Sequence, residues 1–344
     1  MTAPRSETLL EVRNLSKHFP RKSRFFSRQI SAVRAVDNVS FSVNKGATLG
    51  LVGESGCGKS TLGKTLLRLI EPSAGQIIFD STDITQLDAQ AMRAMRQKMQ
   101  LIFQDPYASL NPRMTISSIL AEPLKIHQLY DTVAEKKKRI HELLDYVQLP
   151  QDALHKYPHE FSGGQRQRIC IARALAVKPQ FIVCDEAVSA LDVSIQAQVI
   201  NLLMDLQQEL GLTYLFIAHD LKVVEFISHQ VAVMYLGNIV EMAPAHDIYQ
   251  NPQHPYTKAL LSAIPIPDPN HQKDRIILQG DVPSPISPPT GCHFHPRCWR
   301  GIDICKKKYP EPTKMDKNHW YRCHHPLGRT SEASLTAANA HAEC

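Results

Sequence analysis

Nine consecutive residues constrain this chain more than any other stretch: Gly53-Glu54-Ser55-Gly56-Cys57-Gly58-Lys59-Ser60-Thr61. They fit the pattern GxxxxGK[ST]. A short apolar run at residues 47–52 precedes them and reads as a buried strand; residues 62–70 follow with helical spacing. Strand, glycine-rich loop and helix in that order build a cradle for phosphate. Glycines let successive backbone N–H groups turn inward onto an anion. The helix behind adds the positive end of its dipole. Lys59 supplies a mobile cation for terminal phosphates, and the Ser60 hydroxyl is a hard oxygen ligand suited to magnesium. An ordinary glycine turn before a helix is the plainer reading, but it does not require the whole pattern.

The 344 residues suffice for two domains, one of them large enough to bury a full α/β core. With 43% hydrophobic and 21% charged residues, the composition is that of a globular protein. No apolar run reaches the roughly eighteen residues that a membrane span needs. Residues 1–7 have no apolar core and do not read as a signal peptide, so the chain is expected in the cytoplasm. The net charge of +6 permits contact with an anionic membrane surface or nucleic acid and demands neither.

Residues 8–12 and 36–43 alternate apolar and polar positions and are expected as strands of an antiparallel sheet. The basic, aromatic segment 20–28 between them reads as a solvated loop. Phe19, just before it, suits either base stacking or the core. Residues 76–79 and 99–103 are expected as a strand pair, with a helix at 89–97. Residues 114–180 have helical period throughout and no strand, which predicts a helical insertion with a charged surface helix at 134–147. Two fully apolar runs, 181–184 and 213–218, end in Asp185-Glu186 and His219-Asp220. Apolar strands alternating with helices predict a parallel sheet covered on both faces. From Pro244 onward, prolines at 265, 267, 269, 283, 285, 288 and 289 exclude long regular elements, so the chain is expected to wrap on the core. Residues 329–344 are small and polar and read as a frayed tail. There is no internal repeat and no second phosphate loop.

Asp185 at a strand end is placed to hold magnesium through water, opposite Ser60, and Glu186 to polarise an attacking water. Metal, phosphate cradle and positioned nucleophile are the parts that phosphoryl transfer needs. Ser162-Gly163-Gly164-Gln165 opens a second helix, with Ser162 as its N-cap. That makes a second anion site at a helix N-terminus. One triphosphate does not need two cradles, so this site is expected to reach the nucleotide of another subunit.

Taken together, residues 53–61, Gln104, Ser162-Gly163-Gly164-Gln165, Asp185-Glu186, Ser189-Ala190-Leu191-Asp192 and His219 resemble the nucleotide-binding subunit of an ABC transporter, in order and spacing across residues 8–243. The resemblance implies a P-loop NTPase α/β fold with an antiparallel β subdomain, a helical subdomain at about 105–178 and a C-terminal cysteine-containing extension. It implies two subunits sandwiching two ATP molecules, each site joining one subunit's phosphate loop to the other's Ser-Gly-Gly-Gln. Under it Glu186 is the base, Gln104 senses magnesium and the membrane partner, His219 contacts the γ-phosphate and Phe19 stacks on adenine. Magnesium falls to Ser60, Gln104 and Asp185. Residues 110–113, 253–260 and 280–285 extend the resemblance to the oligopeptide/dipeptide importers, to about residue 328, and in particular to the second, "F"-type ATPase of dipeptide permeases. The implied partners are a second ATPase subunit, two permease subunits and an external binding protein, with no nucleic acid; the implied location is the cytoplasmic face of the inner membrane. The cargo stays open among dipeptides, longer peptides, antimicrobial peptides, nickel chelates and glutathione. Rival readings are a soluble ABC protein acting on ribosome or DNA, which commonly carries two cassettes, and a non-hydrolytic regulatory subunit. Ala187 and Trp299 depart from the family, which usually has proline at both positions.

Of the eight cysteines, Cys57, Cys170 and Cys184 are scattered and Cys344 is terminal, but Cys292, Cys298, Cys305 and Cys323 cluster as C-x5-C-x6-C-x17-C. In a cytoplasmic chain this points to metal rather than disulfides. The CxxC pairs of zinc ribbons are missing. Arg297, Lys306 and Lys307 are expected to favour the thiolate. The family resemblance suggests a four-iron, four-sulfur cluster; zinc and free thiols stay open, and His293, His295, His324 and His325 are rival ligands or exposed polar residues. The expected role is structural and far from ATP.

Overall fold

The computed structural model describes residues 7–20, 32–264 and 275–328. Arg21 to Arg28 of the basic loop, the prolines at 265, 267 and 269, the first six residues and the tail 329–344 with Cys344 lie outside the described residues.

In chain order the strands are β1 (Thr8–Pro20), β2 (Ala32–Asn44), β3 (Thr48–Val52), β4 (Ala74–Phe79), β5 (Thr82–Asp83), β6 (Met99–Ile102), β7 (Phe181–Asp185), β8 (Thr213–Ile217), β9 (Gln230–Tyr235), β10 (Asn238–Pro244), β11 (Thr313–Lys314) and β12 (Trp320–Tyr321). The helices are α1 (Lys59–Leu66), α2 (Ala89–Lys98), α3 (Pro106–Ser109), α4 (Ile116–Ile126), α5 (Val133–Tyr146), α6 (Gly163–Leu175), α7 (Val193–Leu210), α8 (Leu221–Ile227), α9 (Ala245–Gln250), α10 (Pro255–Ser262) and α11 (Asp303–Lys307).

Two sheets result. One is antiparallel, in the order β2-β1-β4-β5. The other runs β11-β12-β10-β9-β3-β8-β7-β6, parallel from β9 through β3, β8 and β7 to β6 and antiparallel from β9 outward. Every residue of β3, β7 and β8 is buried, which is why these strands read as unbroken apolar runs. Successive residues face opposite sides. Phe181 and Val183, Leu215 and Ile217, Leu49 and Leu51 join the core under the antiparallel sheet and α1. Ile182 and Cys184, Tyr214 and Phe216 join the core beneath the helical block.

One expected pairing is not found. Residues 76–79 and 99–103 do not pair with each other: β4 lies between β1 and β5 in the first sheet, and β6 lies beside β7 in the second. Two short apolar runs carry no information about which neighbour each one takes. Residues 106–175 form helices and turns without a strand, as expected. The charged helix α5 still buries Ile140, Leu143 and Leu144, so only one of its faces is solvated.

The chain beyond Pro244 is wrapped on the core, and it also adds to the sheet. β12 pairs with β10 at Glu241 and Met242. Glu241, fully buried, accepts from the N–H groups of Gln253 (2.6 Å) and His254 (2.9 Å) and lies 2.9 Å from His319 Nε2. One carboxylate thus ties two separate parts of the extension to the core strand.

Candidate functional site

The loop at 53–61 leaves β3 and enters α1. Gly53 and Gly58 have φ of +152° and +110°, and a Cβ at either would collide with a backbone carbonyl, Met234 O or Ala35 O respectively. Lys59 is buried, and its Nζ donates to the carbonyls of Gly53 (2.8 Å) and Glu54 (3.0 Å). The loop therefore closes on its own cation.

One hydrogen bond ties a strand end to this loop, and a second joins two strand ends beside it. Ser60 Oγ donates to Asp185 at 2.7 Å, and Gln104 Nε2 donates to Glu186 at 2.7 Å. Glu186 sits at φ +50°, an uncommon conformation for a residue with a side chain. Its N–H donates to Ile217 O (3.0 Å) and its carbonyl accepts from Ser189 Oγ (2.9 Å), so neighbours on both sides fix that conformation. Ala187 behind it is buried.

A cavity of about 420 Å³ is lined by Phe19, Val33, Ala35, Ser55, Gly56, Gly58, Lys59, Ser60, Thr61, Gln104, Glu186 and Pro285. Phe19 lines this cavity and is 37% exposed, so it is not a core residue; the Lys17 ammonium stands 4.9 Å from its ring centre. A larger cleft, about 650 Å³ around Arg34, Tyr309 and Arg322, holds none of the motif residues. His219, just beyond β8, is exposed and is not among the residues lining the smaller cavity. Neither are Ser162 to Gln165. Ser162 caps α6 through a reciprocal pair with Gln165 (3.0 and 3.3 Å), and Gly164 packs so closely on Ile195 that a methyl would clash. Ser162 and Gly163 are exposed.

The sequence does not mark three residues that shape this site. Pro285 lines the cavity, and its carbonyl accepts from Arg34 N at 3.1 Å. Tyr256 Oη accepts from Glu54 N at 2.9 Å. Arg297 grips the Glu54 carboxylate with both Nη atoms, at 2.7 and 3.0 Å. Pro285 and Tyr256 fall within the stretches that resemble peptide importers, but nothing in the sequence says what they touch. Arg297 corrects an expectation: the cysteine region is joined to the phosphate loop, not remote from it.

The four clustered cysteines share one module, closed by a bond from Cys292 N to Cys305 O at 2.8 Å. Burial, not cationic neighbours, governs three of these thiols. Cys292 is pushed up to about 11 and Cys323 to about 12, and Cys298 also rises. Arg297 is turned to Glu54, and Lys306 reaches Asp303 at 3.7 Å, so neither favours the thiolate as expected. The histidines are engaged rather than exposed. His295 and His324 bond the carbonyls of Cys292 and Lys308 (both 2.9 Å), His325 meets Arg300 (3.0 Å), and His293 lies against Tyr309. Among the described residues, no group of three or more His, Cys, Asp or Glu side chains is placed to hold a metal ion. No described helix is long and apolar enough to cross a membrane.

Comparison with known proteins agrees with this geometry. Residues 36–189 match the ABC transporter family and residues 240–305 the oligopeptide/dipeptide transporter C-terminal region. The oligopeptide transport ATP-binding protein AppF of Bacillus subtilis (strain 168) is 53% identical over 327 residues, 94% of this chain and 99% of that one. A putative peptide import ATP-binding protein of Brucella ovis is 56% identical over 315 residues, 92% of this chain and 97% of its own. Among solved structures, the dimeric ATP-binding cassette MJ0796 in a post-hydrolysis state with ADP and Pi superposes with a TM-score of 0.60 at 26% identity, covering 69% of this chain and 99% of that one. CbiO1 from Clostridium perfringens gives 0.62 at 24% identity over 71% and 92%, a likeness of fold. With more than half of its residues shared along nearly its whole length, the chain belongs to the ABC-transporter ATPases, in the branch that carries the oligopeptide/dipeptide C-terminal region.

Proposed function

We infer that this chain hydrolyses ATP to power uptake of peptides through a separate membrane channel. The observation that carries the reading is the convergence of Ser60–Asp185 and Gln104–Glu186 on the mouth of the phosphate loop. Lys59 and the loop N–H groups bind the phosphates, and Phe19 stacks on the base. Ser60, Asp185 and Gln104 are oxygen donors of the kind magnesium takes, so they suit its site. Magnesium there supplies neutralisation of charge on the β- and γ-phosphates. Glu186 orients and deprotonates the attacking water, and His219 reaches the γ-phosphate. Ser162 to Gln165, exposed at all but Gly164 and away from the chain's own cavity, serve the nucleotide of a second ATPase subunit; the dimer reported for MJ0796 supports this. Two permease subunits and an external binding protein complete the transporter, and the chain sits at the cytoplasmic face of the membrane. The division into 1–243 as ATPase, 244–328 as importer extension and 329–344 as tail goes with this reading.

Magnesium-dependent ATP turnover by the purified protein tests it. Glu186→Gln should bind ATP yet lose turnover by about a hundredfold or more, as when a general base is removed. Turnover within a few-fold of normal removes Glu186 from that role.

The thiol-only donor set of Cys292, Cys298, Cys305 and Cys323 supports a four-iron, four-sulfur site, with zinc as the alternative. As described, the side chains do not gather around a single ion. Anaerobically purified protein should be brown, with about four irons per chain, and Cys305→Ser should bleach it. Colourless protein with one zinc replaces the cluster by zinc, and metal-free protein leaves four thiols.

A further inference from the structure

Two residues of the extension hold the phosphate loop at Glu54. Tyr256 Oη accepts its N–H, and the Arg297 guanidinium takes its carboxylate in a two-pronged pair at 2.7 and 3.0 Å. This pair is not a surface contact. The Arg297 side chain is 8% exposed and that of Glu54 is 26% exposed. Its position is set from both ends. Phe294, three residues before Arg297, packs against Tyr235 and Tyr256 with ring centres 5.3 Å apart in both cases. The turn His295–Arg297 is closed by Arg297 N to Phe294 O (3.0 Å) and Cys298 N to His295 O (3.3 Å). The cysteine module therefore fixes where the guanidinium stands. On the loop side, the Glu54 carbonyl accepts from Lys59 Nζ at 3.0 Å, so whatever fixes Glu54 also fixes an anchor of the phosphate-binding lysine.

We propose that Arg297 is a positioning residue of the nucleotide site: it neutralises Glu54 and holds the phosphate loop in its binding shape, so that the C-terminal extension sets ATP affinity. Two physical effects act together. A carboxylate within a loop that binds a triphosphate opposes the ligand unless a cation covers it. A loop ordered in advance loses less entropy on binding. Arg suits the task better than Lys, because its planar fork matches both carboxylate oxygens.

The proposal rests on the phosphate-loop reading of residues 53–61. Binding of a fluorescent ATP analogue to the unaltered full chain tests that reading first, and failure there counts against the loop, not against Arg297. In Arg297→Met the affinity for the analogue should fall about tenfold, the size of one charge-assisted hydrogen bond. The KM for ATP should rise by the same factor with kcat little changed. Adding Glu54→Gln removes the exposed carboxylate, so the double variant should bind better than Arg297→Met alone. A purely structural contact gives a different pattern: a lower melting temperature without nucleotide, unchanged affinity, and a double variant no better than the single. That pattern, or affinity within twofold of normal in Arg297→Met, overturns the proposal. If Arg297→Met does not fold, Arg297→Lys decides. It keeps the charge and loses the fork, and should weaken the analogue several-fold; unchanged affinity overturns the proposal there too.

Discussion

The phosphate loop and the C-terminal extension are built by opposite means. The loop's own closure is local: Lys59 bonds Gly53 and Glu54, six and five residues away, and two glycines take backbone angles that other residues avoid. The extension has local turns too, such as Arg297 N to Phe294 O and His295 N to Cys292 O, but these do not tie it to the core. It is held by long-range pairs: Glu241 with Gln253, His254 and His319, β10 with β12, and Glu54 with Arg297, 243 positions apart. A local device carries its chemistry in consecutive residues, and a long-range device carries it in partners that no short window contains. Damage should separate the two accordingly. Loss of the Glu186 carboxylate should cut turnover by about a hundredfold or more and leave the melting temperature near normal, because Glu186 lies at a strand end and is only partly buried. Loss of a long-range partner should do the reverse.

Glu241 is the sharpest case of such a partner. Glu241→Ala strands two buried N–H groups and His319, and should cost about 3–5 kcal/mol of stability, at about 1–3 kcal/mol for each buried group left without its partner. Urea unfolding measures this, and limited proteolysis should cut first between residues 245 and 328. Glu241→Gln keeps one acceptor and should lose less. Equal stability of Glu241→Ala and the unaltered chain would show that the extension is docked by β12 and its apolar contacts alone.

The same contrast explains what was legible in the sequence. The buried parallel strands were plain because β3, β7 and β8 are apolar at all but one end position each, and only a covered sheet asks for that. Lys59, Ser60, Gln104, Asp185 and Glu186 were marked by type and order, and the structure gathers them within hydrogen-bonding reach. The partner of β4 was not legible, since a six-residue apolar strand fits beside many others. Nor was the Arg297–Glu54 pair: an arginine beside a cysteine reads as an aid to thiolate formation until its side chain is seen to point elsewhere. The thiols were misjudged for a related reason. Sequence shows nearby charge, but burial of Cys292 and Cys323 outweighs it.

The smallest expected effect separates the two regions by pH. His254 is buried, and its pKa is lowered to about 4, chiefly by burial, with Glu241 opposing the shift. Its Nδ1 accepts from Tyr256 N at 3.0 Å and caps α10, a role open only to the neutral ring. The Phe294 ring lies 5.6 Å from its own, and Glu241 accepts its backbone N–H. The folded pKa lies below the unfolded value of 6.5, so in this interval the unfolded chain binds more protons. The stabilisation is present in full above the unfolded value and is lost as pH falls toward 4, up to about 3 kcal/mol. Carboxylates also titrate near the lower end, so the unaltered chain alone cannot assign the slope. His254→Asn retains a good helix cap without titrating. Its stability should fall less steeply between pH 6.5 and 4 than that of the unaltered chain. Parallel curves would remove His254 from the account. With the expected divergence, mild acid should loosen the extension, and with it the grip of Arg297 on Glu54, before the parallel sheet begins to unfold.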